Sequence, residues 1–101
     1  MMGRPLERNA FSAARHAKFR ADVGVVFKEE RQSRGLSMRL LEYQSGLMGA
    51  TISNIERGSA GLTLENVLCL SEALGISDTV LPEIVDLWRA SETVEASHEQ
   101  K

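Results

Sequence analysis

Apolar residues recur along much of the chain at the three- and four-residue spacing of a helix face. One such face lies in residues 22–34, where Asp22 can cap the start of a helix and Gly35 can end it. Its apolar edge consists of Val23, Val26 and Phe27. The preceding stretch, residues 10–21, is rich in alanine, the best helix former, and can begin after a cap at Asn9. This pattern predicts a first helix and a possible extra N-terminal helix.

Two further helices are predicted in the second half of the chain. Thr63 can cap a helix that ends before Gly75. Its core-facing positions are Leu64, Val67, Leu68, Leu70 and Leu74. The last helix is predicted to begin near Thr79, with Pro82 tolerated in its first turn. Its apolar stripe consists of Leu81, Ile84, Val85 and Trp88.

The apolar stripe of the last helix has two interpretations. It can complete the core of a single chain, or it can form the interface of a two-fold homodimer. Large apolar side chains gain roughly 1.5–3 kcal/mol each when they are buried. Because one helix carries this much apolar surface and the only tryptophan, Trp88, the dimer interface is the favoured interpretation.

Between these segments, residues 36–58 predict two short helices joined by a tight turn. Ser37 can cap the first of them, and Gly46 supplies the left-handed residue that the turn requires. In the second helix Ile52 and Ile55 lie on one face, so that the polar residues between them face outward. These outward residues are Ser53, Asn54 and Arg57. The arrangement is typical of a helix-turn-helix.

At these positions the chain resembles a known family, the Cro and phage-repressor type of helix-turn-helix protein, also called the XRE family. The resemblance rests on GLS at positions 35–37, GL at 46–47 and, above all, TISNIERG at 51–58. It implies an all-α, lambda-repressor-like fold, a compact five-helix bundle that contains the helix-turn-helix. It also implies a structural ion pair between Arg31 of the first helix and Glu56 of the recognition helix.

The resemblance further implies which residues contact DNA, because the second helix of this motif enters the major groove. The base-facing positions are Gly49, Ala50, Thr51 and Asn54, with Ser53 beside them. Asn54 alone among them can form a bidentate pair, for which adenine is the usual partner. The flanking DNA-binding residues are Ser37, Arg39, Arg57 and Ser59. The two arginines of this group are suited to phosphates rather than bases.

The chain departs from the family pattern at Glu30, Met38, Glu42 and Met48. The family commonly has an aliphatic residue at the first of these positions, a phosphate-binding glutamine at the second and a small residue at the third. A carboxylate buried without a partner costs several kcal/mol. We therefore expect Glu30 and Glu42 to reach solvent or a basic partner, unless the packing differs locally. Met48 replaces the usual polar cap, which weakens that helix start by about 1 kcal/mol.

The net charge of −2 is distributed unevenly. Residues 1–39 contain nine Lys or Arg and four Asp or Glu, a net +5, whereas residues 40–101 contain three and ten, a net −7. A local basic surface matters more for phosphate binding than the total charge does. The basic N-terminal extension, residues 1–21, could be an arm that contacts DNA. It could equally pack Phe11 and Phe19 on the core or on a partner subunit.

The remaining composition argues against several other functions. No run of 18 apolar residues is present, and the first 20 residues lack a signal-peptide core, so we expect no membrane span and a cytoplasmic location. Cys69 is the only cysteine, and the two histidines, His16 and His98, lie near opposite ends. We therefore expect no metal site and no cofactor. Without a nucleophile–base pair or a phosphate-cradling glycine loop, neither catalysis nor a small-molecule substrate is expected.

The sequence thus predicts a helix-turn-helix DNA-binding domain over residues 22–91, preceded by the basic extension and followed by a polar tail, residues 92–101. The predicted function is that of a sequence-specific DNA-binding transcriptional regulator. We expect a repressor that acts as a homodimer on an inverted-repeat operator in double-stranded DNA. The alternative is an antitoxin-like or adaptor module on the same fold, whose acidic C-terminal half binds a protein partner.

Overall fold

Five helices account for most of the part of the chain that the computed structural model describes, residues 5–92, with side chains from residue 12 onward. They are α1 (Pro5–Ser33), α2 (Met38–Ser45), α3 (Gly49–Arg57), α4 (Leu64–Leu74) and α5 (Ser77–Ala90). No strand occurs within residues 5–92, so the predicted all-α, five-helix fold is confirmed. The predicted packing of Phe11 and the polar tail beyond residue 92 lie outside the described residues.

Helix α1 is the longest element and runs unbroken for 29 residues. Asp22 lies inside it, and its carboxylate pairs with Lys18 one turn earlier, at 2.9 Å. The predicted helix start at Asp22 is therefore wrong, and the extra N-terminal helix and the first bundle helix are one element. The helix continues because both flanks have packing partners: Phe19 contacts Trp88, and Val23 is fully buried in the core.

The core lies between α1, α3 and α4, with α2 packed on α4 and α5 closing the bundle against α1 and α4. Its buried apolar residues are Val23, Phe27, Leu41, Ile52, Ile55, Val67, Leu70, Leu74, Ile76 and Val80. The predicted core face of α4 is correct at three positions and wrong at two, because Leu64 and Leu68 are exposed. The buried row of α4 instead includes Ser71, whose hydroxyl donates to the Val67 carbonyl oxygen at 2.6 Å.

The predicted side-chain caps of α2 and α4 are both present. The Ser37 hydroxyl accepts the N–H of Leu40 at 3.1 Å, and the Thr63 hydroxyl accepts the N–H of Asn66 at 3.1 Å, as predicted. Helix α5 differs, because it begins at Ser77 and has no side-chain cap. Its start therefore lies two residues before the predicted one, which places Pro82 in the second turn rather than the first.

Helix α1 crosses α3 in close contact at Gly24, which is buried. A Cβ atom added there would lie 2.6 Å from the carbonyl oxygen of Glu56 and closer still to that of Ile55. Both neighbours are backbone atoms, which cannot turn aside as a flexible side chain can. The approach of the two helices therefore requires a residue without a side chain.

The N-terminal half of α1 packs against the end of α5 around Trp88. The Phe19 ring meets the Trp88 ring edge-on, with ring centroids 5.2 Å apart. The Arg15 guanidinium lies 3.6 Å from the centroid of the Trp88 ring and donates to the Trp88 carbonyl oxygen and to the Ser91 hydroxyl, both at 2.9 Å. Such a cation–π contact, supported by hydrogen bonds, fixes the extension to the bundle. Of the predicted alternatives, the structure shows Phe19 packed on its own chain.

Candidate nucleic-acid interface

Helices α2 and α3 are joined by a turn over residues 46–48. Gly46 adopts a φ of 75° and donates its N–H to the Glu42 carbonyl oxygen at 2.9 Å, a conformation that glycine adopts at little cost. Helix α3 begins at Gly49, with Met48 at the cap position, where no side-chain hydrogen bond forms. The predicted turn and the predicted uncapped start of the second helix are both present.

The end of α3 is fixed to α1 by a bidentate ion pair. Arg31 Nε lies 2.8 Å from Glu56 Oε2, and Nη2 lies 3.0 Å from Oε1. The remaining guanidinium nitrogen donates to the Leu36 carbonyl oxygen at 3.1 Å. The hydrogen bonds to Glu56 raise the pKa of Arg31 above its ordinary value, although burial opposes this rise. The side chains of the pair are only 14% and 7% exposed, so that solvent screens them weakly.

The outer face of α3 carries a connected set of polar side chains. While the two isoleucines of the helix are buried, the Arg57 guanidinium donates to Asn54 Oδ1 at 2.5 Å and to Ser53 Oγ. The hydroxyl of Ser59, just beyond the helix, donates to the Asn54 carbonyl oxygen at 3.2 Å. The face thus presents amide, hydroxyl and guanidinium groups in a fixed arrangement at the surface.

Comparison with known protein families identifies this arrangement. A family model described as helix-turn-helix matches residues 27–81, which is more than half of the 101-residue chain. The chain belongs to the XRE family. It is therefore a DNA-binding transcription regulator of the XRE type. Comparison with curated proteins and with solved structures gave no match.

In this XRE-family protein, the residues expected to contact DNA form two groups. One group lies on α3 and the loop after it, and consists of Gly49, Ala50, Thr51, Ser53, Asn54, Arg57 and Ser59. The other lies at the start of α2 and consists of Ser37 and Arg39. Arg39 is exposed and makes no ion pair with any residue from 12 to 92. The hydroxyl oxygen of Ser37 accepts the Leu40 N–H as the cap of α2, which leaves its O–H able to donate.

Most basic side chains of residues 12–34 form hydrogen bonds or ion pairs within the XRE-family fold. Arg15 is bound to the end of α5, and Arg31 is bound to Glu56. Lys18 and Arg34 pair with carboxylates one turn away on α1. The positive charge of the N-terminal third therefore contributes less to an exposed anion-binding surface than its count suggests.

The two carboxylates that depart from the family pattern, those of Glu30 and Glu42, have different surroundings. Glu30 lies at the surface of α1, where it pairs with Arg34, so it carries no unpaired buried charge. Glu42 is partly buried where α2 meets α3. Its carboxyl carbon would lie 3.0 Å from a Cβ atom added at Gly49. Glu30 thus reaches a basic partner, and Glu42 reaches solvent in a surface depression that it lines with Arg39 and Tyr43, so the expectation holds for both.

Two side chains that the sequence did not indicate hold the loop after α3. Arg20 Nε donates to the Gly58 carbonyl oxygen at 3.3 Å, and Asn66 Nδ2 donates to the Gly61 carbonyl oxygen at 2.8 Å. No local pattern separates Arg20 from the other arginines of α1. Asn66 could have been suspected, since it follows the Thr63 cap by three residues and faces the same loop.

The four residues predicted to form a dimer interface do not share one environment. Trp88 is packed within the chain, and Ile84 lies partly buried against the core. Leu81 and Val85, by contrast, are 39% and 45% exposed. The structure therefore accounts for the tryptophan without a second subunit, but it leaves part of the α5 stripe in solvent.

Two leucines of α4 extend the exposed part of this stripe. Leu64 and Leu68 are 69% and 44% exposed. Leu64 and Leu81 line one groove of about 180 Å³ between α4 and α5. Since residues four apart lie on one helix face, Leu68 shares the face of Leu64 on α4, and Val85 shares the face of Leu81 on α5. We call this surface the α4–α5 patch: Leu64, Leu68, Leu81 and Val85.

The described residues give little indication of a metal site, a reactive thiol site or a membrane span. Cys69 is a free, half-buried thiol on α4. Residues 12–92 contain no group of three or more His, Cys, Asp and Glu placed to hold a metal ion. No helix in the described part is long and apolar enough to cross a membrane.

Proposed function

We propose that this protein is a homodimeric transcriptional repressor that binds an inverted-repeat operator through α3. The observation that carries the proposal is the α4–α5 patch, where apolar side chains remain in solvent although the core is complete. Taking such a side chain from full exposure to full burial gains roughly 1.5–3 kcal/mol, and these four, at 39–69% exposed, would each gain a part of that amount. A second copy related by a two-fold axis would cover the patch with the same patch.

The proposed dimer predicts the form of the operator. Two α3 helices related by a two-fold axis would enter major grooves about 34–36 Å apart, on one face of the duplex. Each would read one half of an inverted repeat. A bound dimer would occupy DNA that polymerase needs, and this is the mechanism of repression that we favour.

Direct base recognition is assigned to Thr51 and Asn54, with Ala50 against a thymine methyl group. A bidentate pair with adenine requires both the oxygen and the nitrogen of the Asn54 amide. That oxygen accepts a hydrogen bond from Arg57 in the free protein. We therefore propose that Arg57 turns to a phosphate on binding and releases Asn54, while Arg39 holds the neighbouring backbone.

Selection of bound fragments from random duplex DNA, combined with a mass measurement in solution, tests the proposal. The expected result is a palindromic motif bound by a dimer. Loss of affinity with rising salt should accompany it, since phosphate contacts release counterions. A monomer that enriches no motif would overturn the proposal.

Asn54→Ala is expected to reduce base discrimination at one position of each half-site by about 1–3 kcal/mol. The affinity for unrelated DNA should hardly change, because phosphate contacts do not depend on this amide. Competition binding against a panel of single-base operator variants measures the effect. Gln32→Ala, which removes an exposed amide from α1, is the matched control. An equal loss of affinity for every sequence would show that Asn54 does not recognise a base.

Val85→Arg is expected to convert the dimer into a monomer, because a guanidinium in the centre of an apolar interface would lose its hydration without gaining a partner. Val25→Arg is the matched control, since Val25 is 49% exposed on α1 and Val85 is 45% exposed on α5. Sedimentation velocity over a range of concentrations distinguishes the two species. Dissociation by Val25→Arg but not by Val85→Arg would place the interface elsewhere.

The charge distribution favours a second candidate function, a protein-binding module of the antitoxin or adaptor type. Residues 40–101 carry a net charge of −7, and the acidic side chains of α4 and α5 are exposed. Such a surface would suit a basic partner protein. A stable complex with a partner, together with no enriched motif in the DNA selection, would favour this function over the first.

A further inference from the structure

The start of α3 lacks the polar side chains that a base-reading helix needs. Met48 makes no cap, Gly49 has no side chain, and Ala50 ends in a methyl group. Neither a hydrogen-bond donor nor an acceptor is therefore available on these three side chains, apart from the weak thioether acceptor. On this helix alone, discrimination by side-chain hydrogen bonds would begin only at Thr51.

The carboxylate of Glu42 fills the space that the missing side chain of Gly49 leaves. A Cβ atom added at Gly49 would lie 3.0 Å from Glu42 Cδ and 3.6 Å from its Cγ, and closest to Oε2. The side chain of Glu42, on α2, thus occupies the place where a side chain at position 49 would begin. It can do so only because residue 49 is glycine.

This carboxylate also has unused hydrogen-bonding capacity. It makes no hydrogen bond or ion pair with any residue from 12 to 92. It lines a shallow depression in the surface, next to Arg39, Tyr43 and Met48, so that a ligand can reach it from outside. An ionised carboxylate accepts hydrogen bonds through both oxygens and donates none.

We propose that Glu42 supplies the base-recognising group that Gly49 lacks, and that its carboxylate accepts a hydrogen bond from the exocyclic amino group of cytosine. The inference rests on the proposed DNA-binding role of α3. The contact is direct or runs through one ordered water, since such waters carry specificity at protein–DNA interfaces. Glu42 is therefore a specificity-determining residue contributed by the first helix of the motif.

The chemistry of the major groove favours cytosine over the other bases. Guanine and the oxygen of thymine present acceptors, which repel a carboxylate. Adenine presents its amino group beside the N7 acceptor, whereas the amino group of cytosine has no acceptor beside it on the same base. The positive end of α3, together with Arg39 in the same depression, offsets repulsion between the carboxylate and nearby phosphates.

The test compares the motifs selected from random duplex DNA by the full chain and by four variants. The wild type should enrich cytosine at one symmetric position of each half-site. Glu42→Ala should reduce that preference about 5- to 150-fold and leave the other positions unchanged. Glu42→Gln should move the preference towards adenine, because an amide matches its donor and acceptor. Glu72→Ala, which removes an exposed carboxylate from α4, should leave the motif unchanged.

Gly49→Ala gives an independent route to the same result. Its methyl group would displace the carboxylate while leaving the charge of Glu42 in place. It should therefore reduce the cytosine preference as Glu42→Ala does. Thermal unfolding should show that both variants are folded. A wild-type motif that neither substitution alters would overturn the inference alone. An equal gain of affinity for all sequences in Glu42→Ala would also overturn it, while the absence of any wild-type motif would overturn the proposed function with it.

Discussion

Replacing Glu56 with alanine is expected to lower the free energy of unfolding by about 3–5 kcal/mol, the usual cost of leaving one partner of a buried ion pair without the other. Arg31 is only 14% exposed and would keep a single hydrogen bond, to the Leu36 carbonyl oxygen. Urea denaturation followed by circular dichroism measures the change. Binding to DNA should weaken as well, because the pair fixes the end of α3 to α1.

The surface pair of Glu30 and Arg34 provides the control for this prediction. Glu30→Ala removes a carboxylate from the surface of α1. The side chains of Glu30 and Arg34 are 34% and 36% exposed. This substitution should lower the free energy of unfolding by less than about 1 kcal/mol. If Glu56→Ala cost no more than Glu30→Ala, the buried pair would not be the attachment point of α3.

Gly24→Ala is expected to destabilise the protein by about 2–3 kcal/mol, although alanine is the better helix former by roughly 1 kcal/mol. The added methyl group would meet the carbonyl oxygens of Ile55 and Glu56, which belong to the backbone of α3. The two helices would have to separate, and the packing of Val23 and Phe27 beneath the crossing would loosen. Thermal and urea denaturation both report this loss.

Gly49→Ala makes the same chemical change at a site where only a side chain gives way. The nearest atoms there belong to the flexible carboxylate of Glu42. Its stability should therefore remain within about 0.5 kcal/mol of the wild type, as for most surface substitutions. Equal stability of Gly24→Ala and the wild type would mean that α1 and α3 can move apart without loss, contrary to the close crossing seen here.

Local chemistry accounts for the parts of the fold that the sequence predicted well. Each of three features, the caps at Ser37 and Thr63 and the turn at Gly46, depends on residues within a few positions. Their patterns can therefore be recognised in the sequence. The errors concern long-range contacts. Whether α1 breaks at Asp22 depends on Phe19 meeting Trp88, far along the chain, and no periodicity contains that information.

The candidate site shows the same division. The positions of α3 that face outward follow from the helical spacing of its two isoleucines, and family resemblance supplied their expected roles. The role proposed for Glu42 required the structure, because it depends on the space beside Gly49 on a different helix. The exposure of Leu64 and Leu68 was missed for a related reason: an apolar stripe does not show which of its members a neighbouring helix will cover.

The unbroken course of α1 has a consequence for operator spacing. Its N-terminal half is fixed to α5 at Trp88 and its C-terminal half to α3 at Gly24, so one continuous rod connects the two ends of the domain. Inserting one base pair between half-sites shifts the second by about 3.4 Å and rotates it by about 35°. The dimer proposed above, assembled through α5, would have no break in α1 between Pro5 and Ser33 with which to follow that change. The protein would therefore bind weakly to operators whose half-sites are correct in sequence but wrongly spaced.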